Sequence, residues 1–281
     1  MGAERITAAF RRARAARRTA LVAYVTAGYP SLLATEFIVR ELAARGVDLI
    51  ELGIPFSDPL ADGPTIQAAS AEALANGATV RGILQMVRRV RGKTTVPLVA
   101  MSYVNPLARY GMAAFCRDAV AAGFDGLVVP DLPPEEAGEL ICAARPVRLA
   151  TIFLAAPTSP IARLRRIAAA SRGFIYYVSL TGVTGARRAL PPEVLAQVRW
   201  LKRLTRLPVA VGFGVSKPEQ VRWLGGVADG VVVGSAIVQA ITRHRLARGP
   251  YRRSVQRRVR HRDLARRVGS FVQPLLEAAR R

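Results

Sequence analysis

The chain has 281 residues, about half of them apolar, and a net charge of +23, which suits one large domain or two small ones with a substantial core. No apolar run approaches the roughly 20 residues of a membrane span, and the opening MGAERITAAFRRARAARR lacks the continuous apolar stretch of a secretory signal. The charge sits mostly at the two ends, +5 in residues 1–20 and +11 in residues 241–281, so a nucleic-acid partner has to be weighed.

In chain order, the Arg-rich and Ala-rich opening reads as an amphipathic first helix over residues 1–19, with a faint likeness to an organelle transit peptide. Short apolar runs follow at a regular beat: LVAYVT (21–26), VDLIEL (47–52), VPLVAM (96–101), GLVVP (126–130), RLATIF (148–153), FIYYVS (174–179), LPVAVG (207–212) and GVVVG (230–234). They are rich in Val and Ile and mostly apolar on both faces, as strands buried on both sides of a parallel sheet must be. Helical patterns separate them: 33–46, 111–123, 133–144, 159–171, 191–204 and 217–226. Several open with Pro and acids and close at Gly, the expected caps.

Eight βα units in roughly 250 residues predict an α/β fold, a closed (β/α)8 TIM barrel. A doubly wound open sheet is the alternative, but its Gly-rich fingerprint is missing after the first strand, which ends in TAGYP. No Gly- or Ser-rich linker divides the chain. The expectation is one domain, with a barrel core over about 20–245 and a basic helical segment over 246–281. In that segment Leu264, Val268, Phe271 and Leu275 recur at intervals of three to four. The tail is expected to be dispensable for chemistry, unless this apolar stripe belongs to the fold.

In such barrels the chemistry sits at the C-terminal ends of the strands. Alternation in VDLIEL puts Val47, Leu49 and Glu51 on one face. If that face points inward, Glu51 stands at the top of an apolar interior, where desolvation favours the neutral form of an acid–base catalyst. The loop that follows, PFSDPLADGPT, carries Asp58 and Asp62, and Asp beside Gly or Pro is also turn chemistry. The sixth strand runs into SLTGVTGA, the seventh into GFGVSKPEQ and the eighth into GSAIV, where Gly234 and Ser235 open a helix. Glycines in three adjoining loops, with a helix N-terminus beyond the last, fit a phosphate site. His244 and His261 are the only histidines and both lie in the basic tail, so no metal site is evident. Cys116 and Cys142 have neither metal nor redox spacing and read as reduced thiols of a cytoplasmic protein. The residues alone point to a barrel enzyme that moves protons on a phosphorylated substrate and makes or breaks C–C or C–O bonds.

The stretch LIELGIPFSDPLADGPTIQ (49–67) resembles the signature of the tryptophan synthase α subunit family. The resemblance continues through YVTAGYP, MSYVNP (101–106), VVPDLPPEE (128–136), YYVSLTGVTGA (176–186), VGFGVSKPEQV (211–221) and VVVGSAIV (231–238). It runs in register from about residue 10 to 240 and is weak beyond. It implies cofactor-free retro-aldol cleavage of indole-3-glycerol phosphate to indole and D-glyceraldehyde 3-phosphate, as a carbon–carbon lyase of tryptophan biosynthesis. The alternative is a stand-alone indole-3-glycerol phosphate lyase that releases free indole.

By the same resemblance, Glu51 is the acid–base and Asp62 accepts from the indole N–H. Tyr176 lies beside the acid–base, and Tyr24, Ile66, Met101 and Val128 line the indole pocket. Tyr24 stands where other members carry Phe. Gly185, Gly214, Gly234 and Ser235 match the phosphate-binding positions. Residues 179–185 would form a lid whose Thr184 orients Asp62. Asp58 and Asn105 would face a β subunit that uses pyridoxal phosphate, in a heterotetramer of two α and two β chains that channels indole. Nucleic acid is not expected as a partner, because the tail lacks interleaved aromatics apart from Tyr251 and Phe271 and shows no nucleic-acid motif.

Overall fold

The protein is described from a computed structural model, which places residues 2–178, 192–212, 214–245 and 254–280, the side chains of 192–194 and 254–257 excepted. Among the described residues nine parallel strand segments form one sheet: β1 (Ala20–Thr26), β2 (Leu49–Gly53), β3 (Leu98–Met101), β4 (Gly126–Val128), β5 (Ala150–Ile152), β6 (Leu154–Ala155), β7 (Ile175–Val178), β8 (Val209–Gly212) and β9 (Gly230–Val233). The order is β5-β4-β3-β2-β1-β9-β8-β7-β6. It begins and ends on two segments separated only by Phe153, so the sheet closes on itself through the chain. The predicted strand 148–153 is therefore one stave in two pieces. β5 pairs with β4 and β6 with β7, while the Phe153 carbonyl still accepts from the Tyr176 amide at 3.2 Å. The barrel has eight staves, as its βα beat predicts.

Helices surround it: α1 (Gly2–Ala15), α2 (Leu32–Ala44), α3 (Pro64–Ala75), α4 (Val80–Arg91), α5 (Val104–Tyr110), α6 (Met112–Ala122), α7 (Gly138–Ala144), α8 (Ile161–Ala170), α9 (Pro192–Leu204), α10 (Pro218–Gly225), α11 (Ser235–His244) and α12 (Ser254–Ala278). Two helices follow β2 and two follow β3. The pattern at 133–144 is helical only from Gly138.

The interior is filled by inward side chains such as Val22, Leu49, Val99, Val128, Ile152 and Val232, and α1 closes its lower end with Ile6 and Phe10. Phe10 reaches in far enough that a Cβ on Gly230 would lie 2.6 Å from its ring. The two rings of Phe10 and Phe174 stand 5.4 Å apart. Val47, predicted to share the inward face of Glu51, precedes the strand and packs in the outer layer with the helices.

Three aspartates secure the lower rim in the same way. Asp48, Asp125 and Asp229 each precede a strand. Each donates its amide to the carbonyl of a residue on a neighbouring stave, Leu21, Leu98 and Val209. Each carboxylate accepts the amide of that same residue, at 2.9, 2.9 and 3.0 Å. A cation completes each clamp: Arg18 for Asp48, Arg91 for Asp125 and Lys202 for Asp229. Arg5 of α1 also reaches Asp125, at 3.0 Å, which ties the plug to the rim.

The basic C-terminal segment is built into this architecture. Leu264, Val268, Val272 and Leu275 are buried and belong to the same apolar layer as α2. Phe271, part of the predicted stripe, is only half-buried, and Val272 takes the inner place. The chain after α12 returns to the start of β1, where the Thr19 amide donates to Ala279 O at 2.8 Å.

Burying four such side chains contributes about 1.5–3 kcal/mol each, a sum comparable to the roughly 5–15 kcal/mol that holds a whole domain folded. Deleting residues 257–281 is therefore expected to yield an insoluble or unfolded chain, measured by soluble yield and circular dichroism. A soluble truncated chain with a native spectrum would contradict this.

Candidate active site

Glu51 sits in β2 beside Tyr24 of β1 and Val99 of β3. Neighbours in a parallel register share a face, so Tyr24 and Glu51 point to the same side. Glu51 is 2% exposed, and among the described residues neither of its carboxylate oxygens has a hydrogen-bond partner. Burial, followed by the nearby negative charge of Asp62, pushes its pKa up to about 8. A carboxyl in that condition holds its proton at neutral pH.

Two tyrosines enclose it, and two glycines make the room. A Cβ on Gly53 would lie 2.1 Å from the Tyr24 hydroxyl, and one on Gly212 would lie 2.8 Å from the Tyr176 hydroxyl. Burial first, then the charges of Asp62 and Glu51, hold the Tyr24 phenol neutral. For Tyr176 burial is again foremost, with Glu51 next. Met101 and Val128 form the next rung of the wall, in register with Gly53. Ile66, half-buried on the first turn of α3, packs against the outer layer.

Asp62 lies in the loop between β2 and α3. Burial raises its carboxyl to about 6, against the opposing pull of a hydrogen bond from Tyr103. The Tyr103 hydroxyl donates to Asp62 Oδ2 at 3.1 Å and accepts from the Ala61 amide at 3.0 Å, so one side chain pins both the carboxylate and its loop. Gln67 donates to the Asp62 carbonyl at 2.8 Å. Tyr103 was not among the residues singled out from the sequence. Its signal was its place two residues beyond the end of a strand, inside MSYVNP.

Tyr103 also borders a cleft of about 480 Å³, with Phe56, Asp58, Leu60, Asn105 and Asp131. The ring of Phe56 stands 5.4 Å from that of Tyr103, and Leu60 is 91% exposed. Asp58 and Asn105 thus border one cleft, which Tyr103 also lines while its hydroxyl bonds Asp62.

Gly234 is the N-cap of α11 and Ser235 its first residue. A Cβ on Gly234 would make only ordinary contact with Tyr24, at 3.5 Å, so protein packing does not demand glycine there. What its missing side chain leaves open is the approach to the helix end, where unpaired amides and the helix dipole favour an anion. Gly214 beyond β8 has φ +71°, a conformation that favours glycine. Thr184 and Gly185, with the whole proposed lid at 179–185, lie outside the described residues. Among the described residues no group of three His, Cys, Asp or Glu side chains is placed to hold a metal ion, and no helix is long and apolar enough to cross a membrane.

The profile of the tryptophan synthase alpha chain family matches residues 10–266. The chain is 47% identical to the tryptophan synthase alpha chain of Geobacter sulfurreducens, over 98% of each chain. It is 52% identical to that of Geotalea daltonii, over 79% of this chain and 84% of the relative. Among solved structures it is similar to tryptophan synthase from M. tuberculosis in its aminoacrylate-bound form. There the TM-score is 0.83 at 36% identity, covering 98% of this chain and 99% of the other. The tryptophan synthase alpha chain of Legionella pneumophila gives 0.83 at 34% identity, covering 98% and 97%.

Replacing Tyr103 by Phe removes the bond that lowers the Asp62 pKa. Carboxyl NMR titration is expected to show Asp62 titrating above its parent value, with the fold intact. An unchanged titration would show that Tyr103 does not govern Asp62.

Proposed function

The chain belongs to the tryptophan synthase alpha chain family, and on that premise we propose that Glu51 and Asp62 divide the work of its reaction. That reaction is the cleavage of indole-3-glycerol phosphate to indole and D-glyceraldehyde 3-phosphate, the lyase step that feeds indole to a β subunit in tryptophan biosynthesis. The observation that carries the proposal is the buried Glu51 carboxyl, without a hydrogen-bond partner among the described residues, beside Asp62 at the C-terminal mouth of the barrel. The cytoplasm is proposed as its compartment on the family's biosynthetic role.

The two raised pKa values separate the roles. Near neutral pH Glu51 keeps its proton and Asp62 is mostly ionised. Glu51 gives its proton to the indole carbon that carries the glycerol chain, and positive charge spreads to the ring nitrogen. Asp62 accepts the hydrogen bond of that N–H. A fixed anion where cationic charge develops lowers the barrier electrostatically, most effectively where water is excluded. Glu51, now a carboxylate, takes the proton of the glycerol hydroxyl as the C–C bond breaks and the aldehyde forms. It ends in the state in which it began, so no cofactor is called for. Tyr24, Tyr176, Met101 and Val128 form the apolar wall around the indole, with Ile66 nearby on α3. Gly214, Gly234 and Ser235 receive the phosphate.

Asp58 and Asn105 are proposed as partner contacts. The cleft they border, with Leu60 exposed in it, is a surface that a β subunit would cover, and Tyr103 links it to Asp62. A misplacement of about 1 Å can cost around 10²-fold in rate, so ordering this loop is a direct route to activation.

Glu51→Gln keeps the shape but cannot pass a proton. It is expected to lose about 10²–10⁴-fold in kcat with glycerol phosphate binding unchanged, and activity within a few-fold of the parent would refute the assignment. The kcat/KM profile of the parent should fall below about pH 6, as Asp62 takes up a proton, and above about pH 8, as Glu51 loses its own. Asp62→Asn should abolish the acid limb.

A cognate β subunit is expected to raise cleavage by about tenfold or more, in line with the cost of a displaced Asp62. Asp58→Ala should reduce that activation more than the basal rate. Full activity in the isolated chain, unchanged by any β subunit, would instead mark a stand-alone lyase.

A further inference from the structure

α3 begins two residues after Asp62, yet it is lightly seated. It buries only Ala69, Ser70 and Ala73, side chains too small to fix a helix by packing. The neighbouring α11, whose N-terminus is Gly234 and Ser235, is firmly seated through Ala236, Ile237, Val238, Ala240 and Ile241. Both helices border a cleft of about 390 Å³, and polar ties cross from one helix to the other.

Near the active site, Gln239 Nε2 donates to Thr65 Oγ1 at 3.3 Å, three residues from Asp62. At the other end Arg245 pairs with Glu72. The Arg245 guanidinium also lies 5.4 Å over the ring of Tyr29, and the Tyr29 hydroxyl is bonded to Thr242 Oγ1 at 2.8 Å. The side chain that pins the Asp62 carbonyl, Gln67, belongs to α3. Contacts thus run from Gln239 of α11 through Thr65 and Gln67 of α3 to the backbone of Asp62.

We propose that Gln239 and Arg245 are positioning residues for the cleavage, tying α3 to the phosphate-holding helix so that phosphate bound at Gly234 and Ser235 fixes the place of Asp62. This rests on the proposed roles of Asp62 and of the α11 N-terminus. Binding energy from a remote, unreacting part of the substrate is then used to order the group that stabilises the transition state. The ties are partly exposed and individually weak, so cutting one lowers this coupling without unfolding the barrel.

The test separates the phosphate from the reacting part. Cleavage of dephosphorylated indole-3-glycerol is measured in the full chain with its β subunit, with and without inorganic phosphite. In the parent, phosphite is expected to accelerate cleavage by about tenfold or more, because the anion supplies the remote binding energy. Arg245→Ala and Gln239→Ala should each cut that activation by about fivefold, a typical coupling between sites, while the phosphite-free rate stays within about twofold. A variant that loses both rates equally has a merely structural residue, which overturns the proposal, as does undiminished activation in both variants. Competition by glycerol phosphate against the phosphorylated substrate, in the parent and in Gly234→Asp, distinguishes the two levels. Inhibition lost in Gly234→Asp, with no phosphite activation in the parent, leaves the phosphate reading standing and removes the coupling. Equal inhibition of both removes the phosphate reading itself, and the coupling with it.

Discussion

Closure of the strand ring is the constraint on which everything else depends. Once β5 and β6 join through Phe153, every inward side chain has a fixed level and a fixed neighbour. The interior can hold only what fits: Val, Ile and Leu at the middle levels, the α1 plug below, and at the upper end tyrosines that stand over glycines. The lower rim is secured by three Asp–cation clamps that extend the strand ladders. The upper rim is left free for chemistry, the division of labour common to this barrel class.

A carboxyl placed inward at the upper level is buried, and among the described residues neither of its oxygens has a hydrogen-bond partner. That is costly for stability, since a buried ionised group without a hydrogen bond is strongly disfavoured, and the molecule meets the cost by keeping Glu51 protonated. The same penalty is what suits Glu51 to the proton transfer proposed for it. Asp62, on a loop and bonded to Tyr103, is pushed up less far, so two carboxyls of similar intrinsic acidity take opposite states at neutral pH. Environment, and not residue type, makes one an acid and the other an anion.

The two carboxyls also differ in how they are held. Glu51 belongs to a strand locked on both sides. Asp62 depends on Tyr103, on Gln67 and on a helix with little core of its own. Its position is therefore the adjustable one, open to influence from the cleft beside Asp58 and from α11. Rigid support for the proposed proton donor and adjustable support for the proposed anion fit an enzyme whose activity depends on what else is bound.

Much of this was legible in the chain itself. Apolar runs of strand length, separated by capped amphipathic stretches, determined the βα beat. Glu51 at a strand end, Asp62 in the loop beyond and glycines after the last strands determined where to look, because strand and helix periodicities are local properties of the sequence. The family signature then supplied roles that no spacing could. Tertiary structure alone decided the rest. That Tyr103 bonds Asp62 across 41 positions, that Val47 faces outward while Glu51 faces in, that the fifth stave breaks at Phe153 and that Val272 rather than Phe271 is buried all depend on contacts between distant segments. Local periodicity carries no record of them. The tie between α3 and α11 is of the same kind: Glu72 and Arg245 stand 173 residues apart, and only the closed ring brings them together.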